Sequence, residues 1–123
     1  MATISSHILD SVRGNHAQGI RVDCFRKENA DAGAVAPIFS VFADASGRIS
    51  ETVEFDPESD QQFELVFYVA EYFAAFADNV ETLQIMPEIV VRVALPEPDT
   101  RYHLPLVLSP HSYTLWWSGV PSI

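Results

Sequence analysis

The sequence predicts an all-β sandwich with one short helix. Three observations carry that expectation. Apolar residues recur at every second position in run after run, as half-buried strands require. The runs are rich in β-branched and aromatic residues, and most are bounded by Pro, Gly, Asp or Ser. Their number and spacing, roughly six or seven short strands, are those of a sandwich.

In chain order, "SSHILD" falls on the first strand. "IRVDCF" puts Ile20, Val22 and Cys24 on one face, with Arg21 and Asp23 on the other. "RKENADAGAVAP" reads as a polar, small-residue loop. "RISETVEF" sets Ile49, Glu51, Val53 and Phe55 opposite Ser50, Thr52 and Glu54, and "DPESDQQ" is an acidic turn. "FELVFYV" aligns Phe63, Leu65, Phe67 and Val69. "VAEYFAAFADN" breaks the period, with Ala70, Phe73 and Phe76–Ala77 at helical spacing, and predicts the single helix. "EIVVRVAL" aligns Ile89, Val91, Val93 and Leu95. "HLPLVL" aligns Leu104, Leu106 and Leu108, and "YTLWW" aligns Tyr113, Leu115 and Trp117.

The length of 123 residues suits one domain, residues 1–123, and 48% hydrophobic content is enough for a proper core. A net charge of −10 argues against nucleic acid and anionic membranes as partners. The lone cysteine, Cys24, allows neither an intramolecular disulfide nor a multi-cysteine zinc site. The opening "MATISSHILDSV" lacks the basic and apolar regions of a secretory signal. No apolar run approaches the roughly 20 residues of a membrane helix, and "PSI" is not a Ser-Lys-Leu peroxisomal address. A cytoplasmic location is therefore expected.

Four histidines are available: His7, His16, His103 and His111. None forms a His-x-His or His-x-x-x-His metal pair, and no Gly-rich phosphate loop or Gly-x-Ser-x-Gly elbow is present. No metal or cofactor is expected. Taken one at a time, these residues read as structural. His7 is a strand histidine, Arg48 a solvated strand start after "DASG", and His103 a satisfied histidine opposite the leucine row. His16 and His111 sit in or near turns.

Taken together, the pieces resemble the transthyretin-like family, whose enzyme members are the 5-hydroxyisourate hydrolases. "SSHILDSVRGNHAQGIRV" resembles the family opening, with His-x-Leu-Asp, a glycine four residues later and a Gly-x-x-Val strand. The Gly47–Arg48 end of "ADASGR" is similar to the family's Gly-Arg turn. "FELVFYVAEYF" looks like the strand that runs into the family helix. "MPEIVVRVALPEPDTRYHLPLVLSPHSYT" is similar to Phe-Pro-Glu followed by Tyr-His-x-Pro-Leu-Leu-Leu-Ser-Pro.

The resemblance implies a sandwich of about eight strands with one short helix. It also implies a homotetramer, a dimer of dimers with its active sites in a central channel. Carried across, His7, Arg48 and His103 are the catalytic set, acting without metal or cofactor on a small heterocyclic substrate. One imidazole takes a proton from water, arginine holds the developing anion, and the second imidazole orients water or protonates the leaving nitrogen. The residues leave open which histidine is the base.

The family's C-terminal Tyr-Arg-Gly-Ser is replaced by Trp116, Trp117, Ser118 and Gly119. Ala43 and Ser46 stand at the turn's threonine and aspartate, and His16 stands where proline is usual. Trp116, Trp117, Ser118 and Tyr113 are accordingly the expected substrate contacts, with the tryptophans serving equally well as interface packing. Three functions follow: a 5-hydroxyisourate hydrolase, a repurposed enzyme acting on a different and more apolar small molecule, and a non-catalytic ligand binder.

Overall fold

The period-2 runs become strands in a computed structural model that describes residues 1–27, 36–54, 56, 58, 62–76 and 84–121. Eleven strand segments appear among the described residues: β1 (Ala2–Asp10), β2 (Asn15–His16), β3 (Arg21–Lys27), β4 (Phe39–Phe42), β5 (Arg48–Val53), β6 (Gln62–Phe67), β7 (Ile89–Val93), β8 (Thr100–His103), β9 (Leu106–Leu108), β10 (Tyr113–Leu115) and β11 (Ser118–Pro121). The helix α1 (Val69–Ala74) lies between β6 and β7. One sheet runs β4-β3-β6-β7. The other runs β10-β9-β1-β8-β11, with β2 and β5 on the other side of β1. β8 and β9 are one interrupted strand, as are β10 and β11. With the two-residue β2 set apart, eight strands remain, as expected.

Two interruptions, one boundary and one additional strand differ from the sequence-based expectation. "HLPLVL" does not run through, because Pro105 has no N–H for the ladder and separates β8 from β9. "YTLWW" ends at Leu115, and the chain re-enters the sheet at Ser118 after both tryptophans. "FELVFYV" ends at Phe67, and Val69 starts α1 instead. β4, which the pattern did not single out, pairs with β3 through Phe39–Phe42. Phe55, residues 77–79 of the expected helix, most of the loop and most of the acidic turn lie outside the described residues.

β1 is the central strand of its sheet. Residues 2–7 pair antiparallel with β5, and Thr3–Ser5 pair parallel with β8 on the other side. Ile8–Asp10 pair parallel with β9. Alternation then separates its two faces. Ala2, Ile4, Ser6, Ile8 and Asp10 are buried between the sheets. They meet Val22, Cys24, Leu65 and Phe67 of the second sheet in one core that also holds Leu104, Leu106 and Leu108. Buried Cys24 is an inert core thiol whose pKa desolvation pushes up to about 12.

Asp10 is the one carboxylate deep in this core, 1% exposed. It is satisfied on every side. Its Oδ1 accepts from the backbone N–H groups of Val12 and Arg13, and its Oδ2 from the Tyr72 hydroxyl at 2.9 Å. Arg13 lies 3.4 Å from Oδ2 and stacks over Phe76. The end of β1 is thereby tied to α1, whose Val69, Tyr72 and Phe73 are buried.

Two substitutions test this framework. Tyr72→Phe leaves a buried charge short of a donor and should cost about 1–3 kcal/mol. Gly47→Ala should cost about 2 kcal/mol or more, because Gly47 has φ +70 and an added Cβ would run into the Ile8 carbonyl oxygen. Urea unfolding midpoints measure both, and unchanged midpoints would contradict the assignments.

Candidate functional site

The outer face of the seven-stranded sheet collects the polar side chains that the core rejects. His7 sits on β1 directly opposite Arg48 on β5, and Ser5 sits opposite Ser50. On the other side of β1, Ser5 pairs with His103 on β8. Cross-strand partners share a face, so His7, Arg48 and His103 all lie on the outside of the same sheet. Backbone register brings them together, although they are 41 to 96 residues apart in sequence.

Each is held by specific contacts. His103 Nδ1 lies 2.8 Å from Ser5 Oγ, and Ser5 is 4% exposed despite facing outward, because the imidazole covers it. The next residue on β1 closes the seam, with the Ser6 hydroxyl donating to the Leu104 carbonyl on the core side. Arg48 is presented by the turn before it. Asp44 Oδ1 accepts from the Ser46 and Arg48 backbone N–H groups at 2.9 and 3.0 Å, and the Ile8 N–H donates to the Gly47 carbonyl. Those two N–H donors hold the Asp44 carboxyl below its ordinary pKa.

Ser5, Ser50, Asp44, Arg48, Arg101 and His103 line an open cavity of about 240 Å³. The His103 pKa is lowered from its ordinary 6.5 by partial burial first, then by the positive charges of Arg48 and Arg101 and by His7. His7 is lowered by partial burial, Arg48 and His16, against opposing effects of the Ser46 backbone and Asp44. Both imidazoles are therefore biased toward the neutral form near pH 7. Among the described residues, no group of three or more His, Cys, Asp or Glu side chains could hold a metal ion. No helix there is long and apolar enough to cross a membrane.

His16 behaves differently from its turn-residue reading. β2 brings it against β1, with Nδ1 3.1 Å from His7 Nε2 and the rings 5.2 Å apart. Ser5, His16 and Arg101 belong to this face and were not singled out by pattern. Ser5 and Arg101 could have been, since each stands two residues before a histidine on a strand, which places it on the same face. His111 stays exposed at the turn after β9.

The tail residues divide between faces. Ser118 pairs with His103 and shares its face. Tyr113 pairs with Leu108 on the leucine side, away from His103. Trp116 is half exposed at the break, its N–H donating to the Pro105 carbonyl at 3.3 Å. Trp117 turns to the core side, its ring lying over Gly119 and 6.3 Å from the Tyr102 ring. There it joins Ile4, Leu95, Tyr102 and Leu104 in lining a separate apolar cavity of about 350 Å³. The cause is strand alternation, which sends consecutive residues to opposite faces.

The comparisons agree with this architecture. A 5-hydroxyisourate hydrolase of Pseudomonas aeruginosa is 27% identical over 120 residues, covering 94% of this chain and 90% of that protein. The structure of Klebsiella pneumoniae 5-hydroxyisourate hydrolase superposes with a TM-score of 0.73 at 21% identity, over 96% of this chain and 99% of that one, a likeness of fold. Sea bream transthyretin, solved in complex with thyroxine, gives a TM-score of 0.70 at 26% identity over 97% and 95%. A family model described as HIUase/Transthyretin matches residues 4–117, and the chain belongs to that family.

Proposed function

We propose that this chain, as a single domain over residues 1–123, is a hydrolase that opens the ring of 5-hydroxyisourate with His103, Arg48 and His7. The observation that carries the reading is the outer-face cleft, where Arg48 and His103 line one cavity and His103 Nδ1 is pinned to Ser5. Relatives such as the Pseudomonas aeruginosa 5-hydroxyisourate hydrolase support the substrate class.

His103 is the base in this scheme. In the tautomer whose Nδ1–H donates to Ser5 Oγ across the 2.8 Å contact, Nε2 keeps its lone pair, and the lowered pKa favours the neutral ring that accepts a proton. His103 removes a proton from water as the water oxygen bonds to a ring carbonyl carbon. The carbonyl oxygen takes the electron pair and becomes an oxyanion, which the Arg48 guanidinium stabilises without changing its own charge. Collapse re-forms the carbonyl and breaks the ring C–N bond, and the nitrogen leaves with the proton that His103 returns. His7, opposite Arg48 and linked to His16, positions the guanidinium end of the cleft.

A homotetramer, a dimer of dimers whose channel is formed by these outer faces, completes the reading. The exposed Trp116, in the break of the outermost strand, supports it, since exposed apolar surface marks an interface. A second reading keeps the same side chains but acts on a more apolar ring, by hydrolysis, ring opening or proton-transfer isomerisation. It is favoured by the tail, where Trp116 and Trp117 stand at the positions that resemble the family's Tyr-Arg pair. A transthyretin-type binder would have no use for the pinned His103.

5-Hydroxyisourate generated in situ by urate oxidase should decay faster with the protein than without it, followed by ultraviolet absorbance. No acceleration would overturn the hydrolase reading. His103→Ala should remove at least about 100-fold of kcat, the scale of one general base. Ser5→Ala should lower kcat with little change in KM, and Ser5→Thr should restore it; equal loss in both variants would reduce Ser5 to packing.

The acid limb of kcat/KM should have its midpoint below 6.5, because the free-enzyme base has a depressed pKa. The same shift makes stability fall with acidification. The unfolded chain binds the His103 proton more readily, so stability is lost below about 6.5 and the loss is complete once the folded-state pKa is passed. A limb above 7 would contradict the assignment. Light scattering after size exclusion should give four times the 13.7 kDa chain mass, and a monomer mass would remove the channel.

A further inference from the structure

The cleft around His103 is a cationic site in an acidic protein. The chain carries a net charge of −10. Its other arginines on structured elements are mostly neutralised locally: Arg13 by Asp10, Arg21 by Glu71 and Asp23, and Arg92 by Glu64. Among the described residues, neither Arg48 nor Arg101 has a carboxylate within ion-pair distance, and both line the same cavity. The acid in that cavity, Asp44, accepts the Ser46 and Arg48 backbone N–H groups on Oδ1, and its charge acts on Arg48 from beyond ion-pair distance, so two arginines face one carboxylate there.

The two arginines enter the cavity from opposite ends of the backbone register. Arg48 is paired with His7 and Arg101 with Thr3. Four residues of extended β1 separate those registers, about 13 Å at the backbone. Between them the cavity floor is Ser5 and Ser50, paired directly across the strands. The result is a slot with an arginine rooted at each end, serines along the bottom and the imidazole of His103 on one wall. Unpaired guanidinium groups bind planar acceptors such as carboxylate or ring imidate oxygens through parallel N–H donors. The field of both cations already acts on the slot, since each disfavours the protonated form of His103.

We infer that the slot takes a small planar ring in its anionic form, with one electron-rich edge at Arg48 and a second at Arg101, and that Arg101 selects anionic over neutral rings. The inference rests on the proposed function only in taking this cleft as the substrate site. Arg48 meets the reacting carbonyl, whereas Arg101 meets the far edge and acts on binding. The class is thus a deprotonated or carboxylated heterocyclic dione, not a neutral one.

Orotate and uracil share one ring and differ by a carboxylate, so they isolate the charge. Calorimetric titration of the wild-type protein should show orotate binding at least about tenfold more tightly than uracil, the gain of one charge-assisted contact. Arg101→Gln should remove most of that preference by weakening orotate far more than uracil, and Arg101→Lys should keep part of it. Arg101 is exposed on β8, so the variants should keep the wild-type melting temperature. Equal affinity for the two rings, or an undiminished preference in Arg101→Gln, would overturn the inference. Turnover of 5-hydroxyisourate is read separately. Anion preference without turnover supports the slot and refutes the hydrolase, whereas turnover without preference refutes the slot alone.

Discussion

The seam between β1 and the interrupted strand β8–β9 is the constraint on which the rest depends. Pro105 breaks that strand, and a break beside the central strand of a sheet would leave buried backbone groups unpaired. Ser5 and Ser6 close it. The Leu104 N–H donates to the Ser5 carbonyl at 2.8 Å, and the Ser6 hydroxyl donates to the Leu104 carbonyl. The same two serines face opposite ways. Ser6 completes the ladder from the core side, while the Ser5 hydroxyl meets His103 Nδ1 on the outside. Closing the sheet and orienting the imidazole are therefore one piece of backbone geometry.

From that seam the two faces acquire different chemistry. The inner face of β1 is apolar apart from Ser6, which bonds to Leu104, and Asp10, which is fully partnered and anchors α1 through Tyr72. The outer face keeps polar groups under partial burial, where charge effects are not screened away as they are at an open surface. Partial burial and neighbouring guanidinium groups act in the same direction on His103, and both favour the neutral ring. An acidic protein thereby presents a cationic, base-bearing slot, an arrangement suited to attracting an anion and then attacking it with water.

Much of the sandwich was legible from alternation alone, because a strand with one buried face must repeat every two residues. "IRVDCF" and "EIVVRVAL" fell where β3 and β7 lie. Pro105 and the tryptophan pair disrupted the reading where β8–β9 and β10–β11 are interrupted, since alternation says nothing of a missing N–H. The site was harder. His7, Arg48 and His103 are each unremarkable locally, and only a resemblance spanning the chain joined them. His16 escaped because its neighbourhood is made by cross-strand register, whereas Arg101 was open to alternation along its own strand, two residues before His103. Trp117 stands at the arginine of the family's Tyr-Arg-Gly-Ser, which makes it an expected substrate contact, yet it sits one residue before Ser118 on the opposite face and lines the apolar cavity beside Tyr102.

The central claim is that Ser5 holds His103 with its Nε2 free to take a proton. Nitrogen-15 chemical shifts of the His103 ring, measured across pH, report the tautomer directly. The account predicts the Nδ1–H tautomer at neutral pH, converting to imidazolium with a midpoint below 6.5. A ring protonated on Nε2, or already charged at pH 7, would contradict it.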